Sequence, residues 1–190
     1  MILSILICTV PERKEMFTAL YKDLYTQSFG LPVEIIPSPE SLNAALIGTK
    51  RNRLLNQANG EYVCFVDDDD TVSSTYVKDI LKALELKPDC VSLRGVITWD
   101  GGNPELFEHS IKYSDWVTTT SDIKYLRPPN HLNTIKSSIA KQFKFLEINH
   151  GEDKDWSLQI RDSGLLKKEV FIERVLYHYL YITNKNVAKT

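Results

Sequence analysis

Through the first hundred positions, short apolar runs alternate with stretches of helical spacing. Ile2 to Cys8 is a nearly unbroken apolar run, the pattern of a strand buried on both faces. PERKEMFTALYKDLYTQ follows, with Pro11 suited to a first helical turn and Met16, Leu20 and Leu24 on one helical face. LPVEIIP predicts a second short strand closed by Pro37. SLNAALIGTKRNRLLNQANG reads as helical in its later part, with Gly60 as a C-terminal cap. Tyr62 to Val66 is the third strand. Ser73 or Ser74 is placed to cap a helix in STYVKDILKALEL, and DCVSLRGVITW is a further strand. This order predicts an α/β fold with a mostly parallel, doubly wound sheet flanked by helices.

The second half is less regular. RPPNHLN predicts a rigid loop, TIKSSIAKQF a short helix, GEDKDWSLQIRDSG a loop followed by a helix, and RVLYHYLYI a late strand. No repeat, low-complexity tract or linker interrupts the chain, so the pattern predicts a single domain.

Composition narrows the classes. The 190 residues are 43% hydrophobic and 25% charged, ordinary for a globular domain, and a net charge of -2 gives no bulk basic field for nucleic acid. MILSILICTV is too short to span a bilayer and lacks a positive leading region, so the reading is a cytoplasmic chain without a transmembrane segment. Cys8, Cys64 and Cys90 each sit in an apolar run, match no zinc spacing and read as core thiols. Nothing in the sequence sets an oligomeric state.

The sharpest chemical signal is Asp67 to Asp70, directly after the third strand. At ~6 Å and an effective dielectric of ~20, each like-charge pair costs about 3 kcal/mol. Solvation of an acidic turn, or favourable charge near the next helix start, would explain the run in part. At the carboxyl end of an α/β strand, the usual ligand edge, the oxygens also suit Mg²⁺ or Mn²⁺. A second acidic cluster, Glu152, Asp153 and Asp155, follows Gly151 and offers either a helix start or a general base for a substrate hydroxyl. In GTKRNR, Arg51 is either an exposed helix charge or a partner for a base or phosphate. His178 is a packed strand residue or a metal ligand, and His131 a loop residue or part of a pocket wall.

SILICTVPERKEMF, KRNRLLNQANGEYVCFVDDDD and GEDKDWSLQI, in that order, resemble family 2 glycosyltransferases of the GT-A (Rossmann-like) fold. The resemblance implies a metal-dependent, inverting transferase that uses a nucleotide-diphosphate sugar, a UDP-sugar foremost, and a glycan or other hydroxyl acceptor. Mn²⁺ or Mg²⁺ would be the cofactor. Asp67, Asp68 and Asp69 would form a DxD-type motif, with Asp69 and Asp67 on the metal and Asp68 on the ribose. Thr9, Pro11 and Arg13 would border the nucleoside, and Arg51 with Asn52 would lie on the donor side. Asp153, with Glu152 beside it, would be the catalytic base, and His178 would complete the metal site. Residues 1–97 would form a nucleotide-binding half and 98–190 an acceptor and catalytic half. The family's base-reading aspartate after the second strand has no counterpart in VEIIPSPES. Two alternatives stay open: a haloacid-dehalogenase-like phosphohydrolase with Asp67 as nucleophile, and a non-catalytic sugar-nucleotide or glycan-binding module.

Overall fold

The computed structural model describes residues 1–183. Its centre is a ten-stranded sheet. Strand β1 (Leu3–Ile7) lies between β2 (Val33–Pro37) and β3 (Tyr62–Phe65) and is parallel to both. Further along, β5 (Cys90–Trp99) and β10 (Glu169–Tyr181) form a long parallel ladder. The two parallel blocks are joined by a short antiparallel strand, β9 (Thr134–Lys136), which pairs with both β3 and β5. Strand β4 (Thr71–Val72) adds to β10, and β6 (Glu105–His109), β8 (Ile123–Arg127) and β7 (Val117–Thr118) extend the sheet beyond β5.

Strand alternation explains why these strands are apolar at nearly every position. Leu3, Ile5, Ile7, Cys64 and Val66 enter one core with Leu20 and Leu24 of α1 (Lys14–Ser28) and Val77 and Ile80 of α3 (Tyr76–Leu84). Leu6, Cys8, Val63 and Phe65 enter the other, with Leu54 of α2 (Ile47–Gln57), Ile139 of α4 (Ser137–Ala140) and Trp156 of α5 (Glu152–Ser163). Helices therefore cover both faces, as the sequence pattern requires. Cys8, Cys64 and Cys90 are buried free thiols.

Several local expectations are corrected. Met16 is 39% exposed and does not continue the Leu20–Leu24 stripe. Gly60 does not cap α2, whose C-cap is Ala58; it sits where a Cβ would lie 2.6 Å from the Ser4 backbone nitrogen. Neither Ser73 nor Ser74 caps α3, whose N-cap is Thr75. TIKSSIAKQF begins as strand β9, and helix follows only at Ser137–Ala140. Helix α5 begins at Glu152, immediately after Gly151, and ends before Gly164; both glycines hold positive φ, 87° and 63°, which favours glycine.

Three features place the site. Parallel pairing of β1 and β3 puts residues 8–10 and 66–70 at one carboxyl edge. The antiparallel run of β9 carries the preceding loop back to that edge, where the His131 carbonyl accepts the Phe65 N–H at 2.8 Å. Two hydrogen bonds between the Asn52 amide and the Phe145 backbone, both 2.9 Å, fix the segment ahead of α5 to α2.

His109, at the end of β6, is buried and pairs with Asn133 Oδ1 through Nδ1 at 3.2 Å. Burial, reinforced by nearby His131, pulls its imidazole down to about 3. Unfolding returns it to ~6.5, so the unfolded chain binds the extra proton between those values and stability falls as pH drops. Urea midpoints measured from pH 7 to pH 4 should fall for the wild type and fall less steeply for His109→Gln, by up to about 1.4 kcal/mol per pH unit.

Candidate active site

The four aspartates separate into four environments. Asp67 Oδ1 accepts Arg51 Nη2 at 3.0 Å and its Oδ2 lies 3.3 Å from His131 Nε2. Asp68, almost fully buried, accepts Arg13 Nη1 at 2.8 Å and the Val10 N–H at 3.3 Å. Asp69 Oδ1 lies 3.2 Å from the same Arg13 nitrogen. Asp70 accepts the Tyr177 hydroxyl at 2.7 Å and the Leu180 N–H at 2.8 Å. The Tyr177 oxygen in turn accepts the Asp67 N–H at 3.1 Å.

These environments divide the charge. Burial opposes ionisation of Asp67, but Arg51 and His131 outweigh it and hold the carboxyl far below the ordinary range. Burial raises Asp68 despite Arg13. Burial, with Asp67 nearby, pushes Asp70 well above the carboxylate range. Asp67 and Asp70, which would repel as equal charges, therefore titrate apart.

The second acidic cluster comes to the same place. Arg51 is 4% exposed, and its Nε donates to Glu152 Oε1 at 3.1 Å while Nη2 serves Asp67. Its guanidinium lies 5.1 Å from the Phe65 ring centroid and 5.9 Å from that of Phe145. On the other side, His131 Nδ1 is 3.8 Å from Asp153 Oδ2, and it has no hydrogen-bond partner among the described residues. Glu152, Arg51, Asp67, His131 and Asp153 thus form one chain of contacts. A carboxylate at a strand's carboxyl edge and a partly exposed one on a helix's first turn, Asp153, face a common centre.

A family model for glycosyl transferase family 2 matches residues 4–151. The chain belongs to that family. No curated protein matches it by sequence. Among solved structures, S. aureus TarS 1–349 superposes with a TM-score of 0.66 at 18% identity, covering 95% of this chain and 60% of that one. The same TarS segment in complex with UDP gives 0.68 over the same shares, and its complex with UDP-GlcNAc gives 0.68 over 95% and 58%, both at 18% identity. At that identity the likeness establishes the GT-A fold. The chain spans about 60% of the length of those TarS structures. Among the described residues no helix is long and apolar enough to cross a membrane.

Within this family 2 domain, the sequence-predicted residues sort by position. Thr9, Pro11 and Arg13 lie after β1, where the Thr9 N–H donates to Ser38 Oγ at 3.0 Å and its carbonyl accepts the buried Lys50 ammonium at 3.0 Å. Asn52 is not at the site, since its amide is spent on Phe145. Arg51 is no exposed donor-binding cation; it is a buried bridge between the acidic clusters. Glu152, 6% exposed at its side chain, is bound to that bridge, whereas Asp153 is 25% exposed.

The residues fit a divalent ion in only one mode. Among the described residues no three His, Cys, Asp or Glu side chains gather as a metal-holding group, so Asp67, Asp69 and His178 form no preassembled triad. Asp67 commits one oxygen to Arg51 and the other to His131. Tyr177 reaches Asp67 and Asp70, and the Tyr179 phenol, raised by burial and then by Asp67, shares that face; alternation sends His178 to the other side of β10. What remains is the mode in which one or two carboxylates and substrate phosphates share a hydrated ion.

The sequence marks His131 as a possible pocket wall and Lys50 only as one of three cations facing the aspartates' edge, and it does not mark Tyr177. The signals were present as a cation one residue before Arg51 and a tyrosine in the late apolar strand, but their partners lie 41 and 107 residues away along the chain.

Arg51→Met leaves the buried Glu152 and the half-buried Asp67 without their shared cation, which should cost about 3 kcal/mol in urea unfolding. Arg51→Lys should recover little of it, because one ammonium cannot reproduce two directed guanidinium bonds.

Proposed function

We propose that this domain transfers a sugar from a nucleotide-diphosphate donor to an acceptor hydroxyl, with inversion and with a divalent ion. The observation that carries this reading is the Asp67–His131–Asp153 contact chain, which joins the two acidic clusters across 86 residues at one sheet edge. The acceptor oxygen attacks the anomeric carbon, Asp153 takes its proton, and the bond to the diphosphate breaks with its electron pair leaving on the phosphate oxygen. Glu152 acts with Asp153 by fixing Arg51 beneath the first turn of α5. Residues 1–97 serve the donor: Thr9, Pro11 and Arg13 border the nucleoside, and Asp68 meets the ribose. Residues 98–190 serve the acceptor and catalysis.

Asp69, with Asp67 behind it, would hold Mn²⁺ or Mg²⁺, which supplies Lewis-acid stabilisation to the departing diphosphate. Asp69 lies at the strand's carboxyl edge, its Oδ1 3.2 Å from Arg13, and would supply the carboxylate that shares a hydrated ion with the substrate phosphates. TarS binds UDP and UDP-GlcNAc, and the common fold makes a UDP-sugar the first donor to test. The reading places the work on the cytoplasmic side, with a glycan or other hydroxyl compound as acceptor.

Thermal shift with UDP, GDP, CDP and TDP sugars, each with and without Mn²⁺, should show a stabilisation that needs both components. Asp69→Asn should lose the Mn²⁺-dependent part. Asp153→Asn should keep it while transfer falls about 10²–10⁴-fold. Wild-type transfer by Asp153→Asn would refute the base assignment, and donor binding without transfer across the panel would favour a binding module.

A further inference from the structure

Near Asp153, two cations have no ion-pair partner among the described residues. The Arg127 guanidinium lies 4.8 Å from the Trp116 ring centroid and 5.5 Å from that of Tyr125. Its Nη1 donates to the Val117 carbonyl at 2.6 Å and the Leu126 carbonyl at 2.9 Å. Lys154, the residue after Asp153, lies with its ammonium 6.0 Å from the same Trp116 centroid. Among the described residues neither cation forms an ion pair, whereas Arg13, Arg51 and Arg94 all do. The Trp116 indole N–H is buried and has no hydrogen-bond partner among the described residues.

The placement is rigid. Ser157 of α5 donates to the Pro129 carbonyl at 2.8 Å, which holds the segment from Arg127 to His131 against the helix that carries Asp153 and Lys154. Pairing of Val117 with Leu126 fixes Trp116 beside Arg127. Arg127 also spends burial on this position: desolvation weakens its hold on its proton, with Asp115 and Asp153 too distant for an ion pair.

We propose that Arg127, Lys154 and Trp116 form an acceptor subsite that binds an oxyanion, a phosphate or a carboxylate, carried by the acceptor near its reacting hydroxyl. This inference rests on the transferase reading, with Asp153 as base. Because neither cation has an ion-pair partner among the described residues, an oxyanion on the acceptor supplies the missing counter-charge beside Asp153. The guanidinium contributes directional donors and the indole a flat surface for a sugar or polyol.

Calorimetric titration with glucose 6-phosphate, glucuronic acid and methyl glucoside, each with and without saturating UDP, tests it. At least one acid should bind about tenfold or more tightly than methyl glucoside, with UDP present as well as absent. Binding of only one acid identifies the preferred oxyanion. Lys154→Gln, an exposed substitution, should weaken the acid about tenfold and keep any UDP-dependent thermal shift, and Arg127→Gln should do at least as much. Equal affinity for all three probes, displacement of the acids by UDP, or unchanged affinity in Lys154→Gln would overturn the subsite. Absence of any UDP shift would count against the donor reading alone, because the acid titrations without UDP are read separately.

Discussion

A single buried guanidinium makes this arrangement possible. Arg51 is removed from water with two aromatic rings near it, and it binds a carboxylate from each acidic cluster. Isolated, each of these charges would be costly to bury. Together, they turn two repelling regions into a connected unit, so the strand edge of the first half and the helix start of the second must meet in one geometry. Replacing such a buried network by well-packed apolar side chains is often neutral or stabilising, so the bridge is not by itself a source of net stability.

The aspartate run divides labour by environment. Asp67 lies between Arg51 and His131, which hold its carboxyl far below the ordinary range. Asp68 and Asp69 share Arg13, whose 28% exposed side chain leaves it the more movable partner. Asp70 belongs to the late strand, where a backbone amide and a phenol hold it. Four identical residues in sequence thus become four different groups, set apart by what each meets and not by their own chemistry.

The fold was legible where a strand is buried on both faces. Ile2–Cys8 and Tyr62–Val66 read correctly because alternate residues feed two separate cores, leaving no polar face to confuse the period. The antiparallel β9 was not legible, since three residues give no period and its assignment depends on partners in β3 and β5. Asn52 is implied as a donor-side residue by the family resemblance, whereas its amide is committed to the Phe145 backbone, 93 residues away. The two acidic clusters could be named from sequence. Their connection through His131 could not, because it follows from the direction of β9.

The hydroxyl of Tyr177 joins the backbone of Asp67 to the side chain of Asp70, across 110 and 107 residues. During synthesis the acidic turn therefore emerges long before the strand that secures it. Completion of this edge therefore waits on Tyr177, and a chain released before that residue would lack the hydroxyl that ties Asp67 to Asp70.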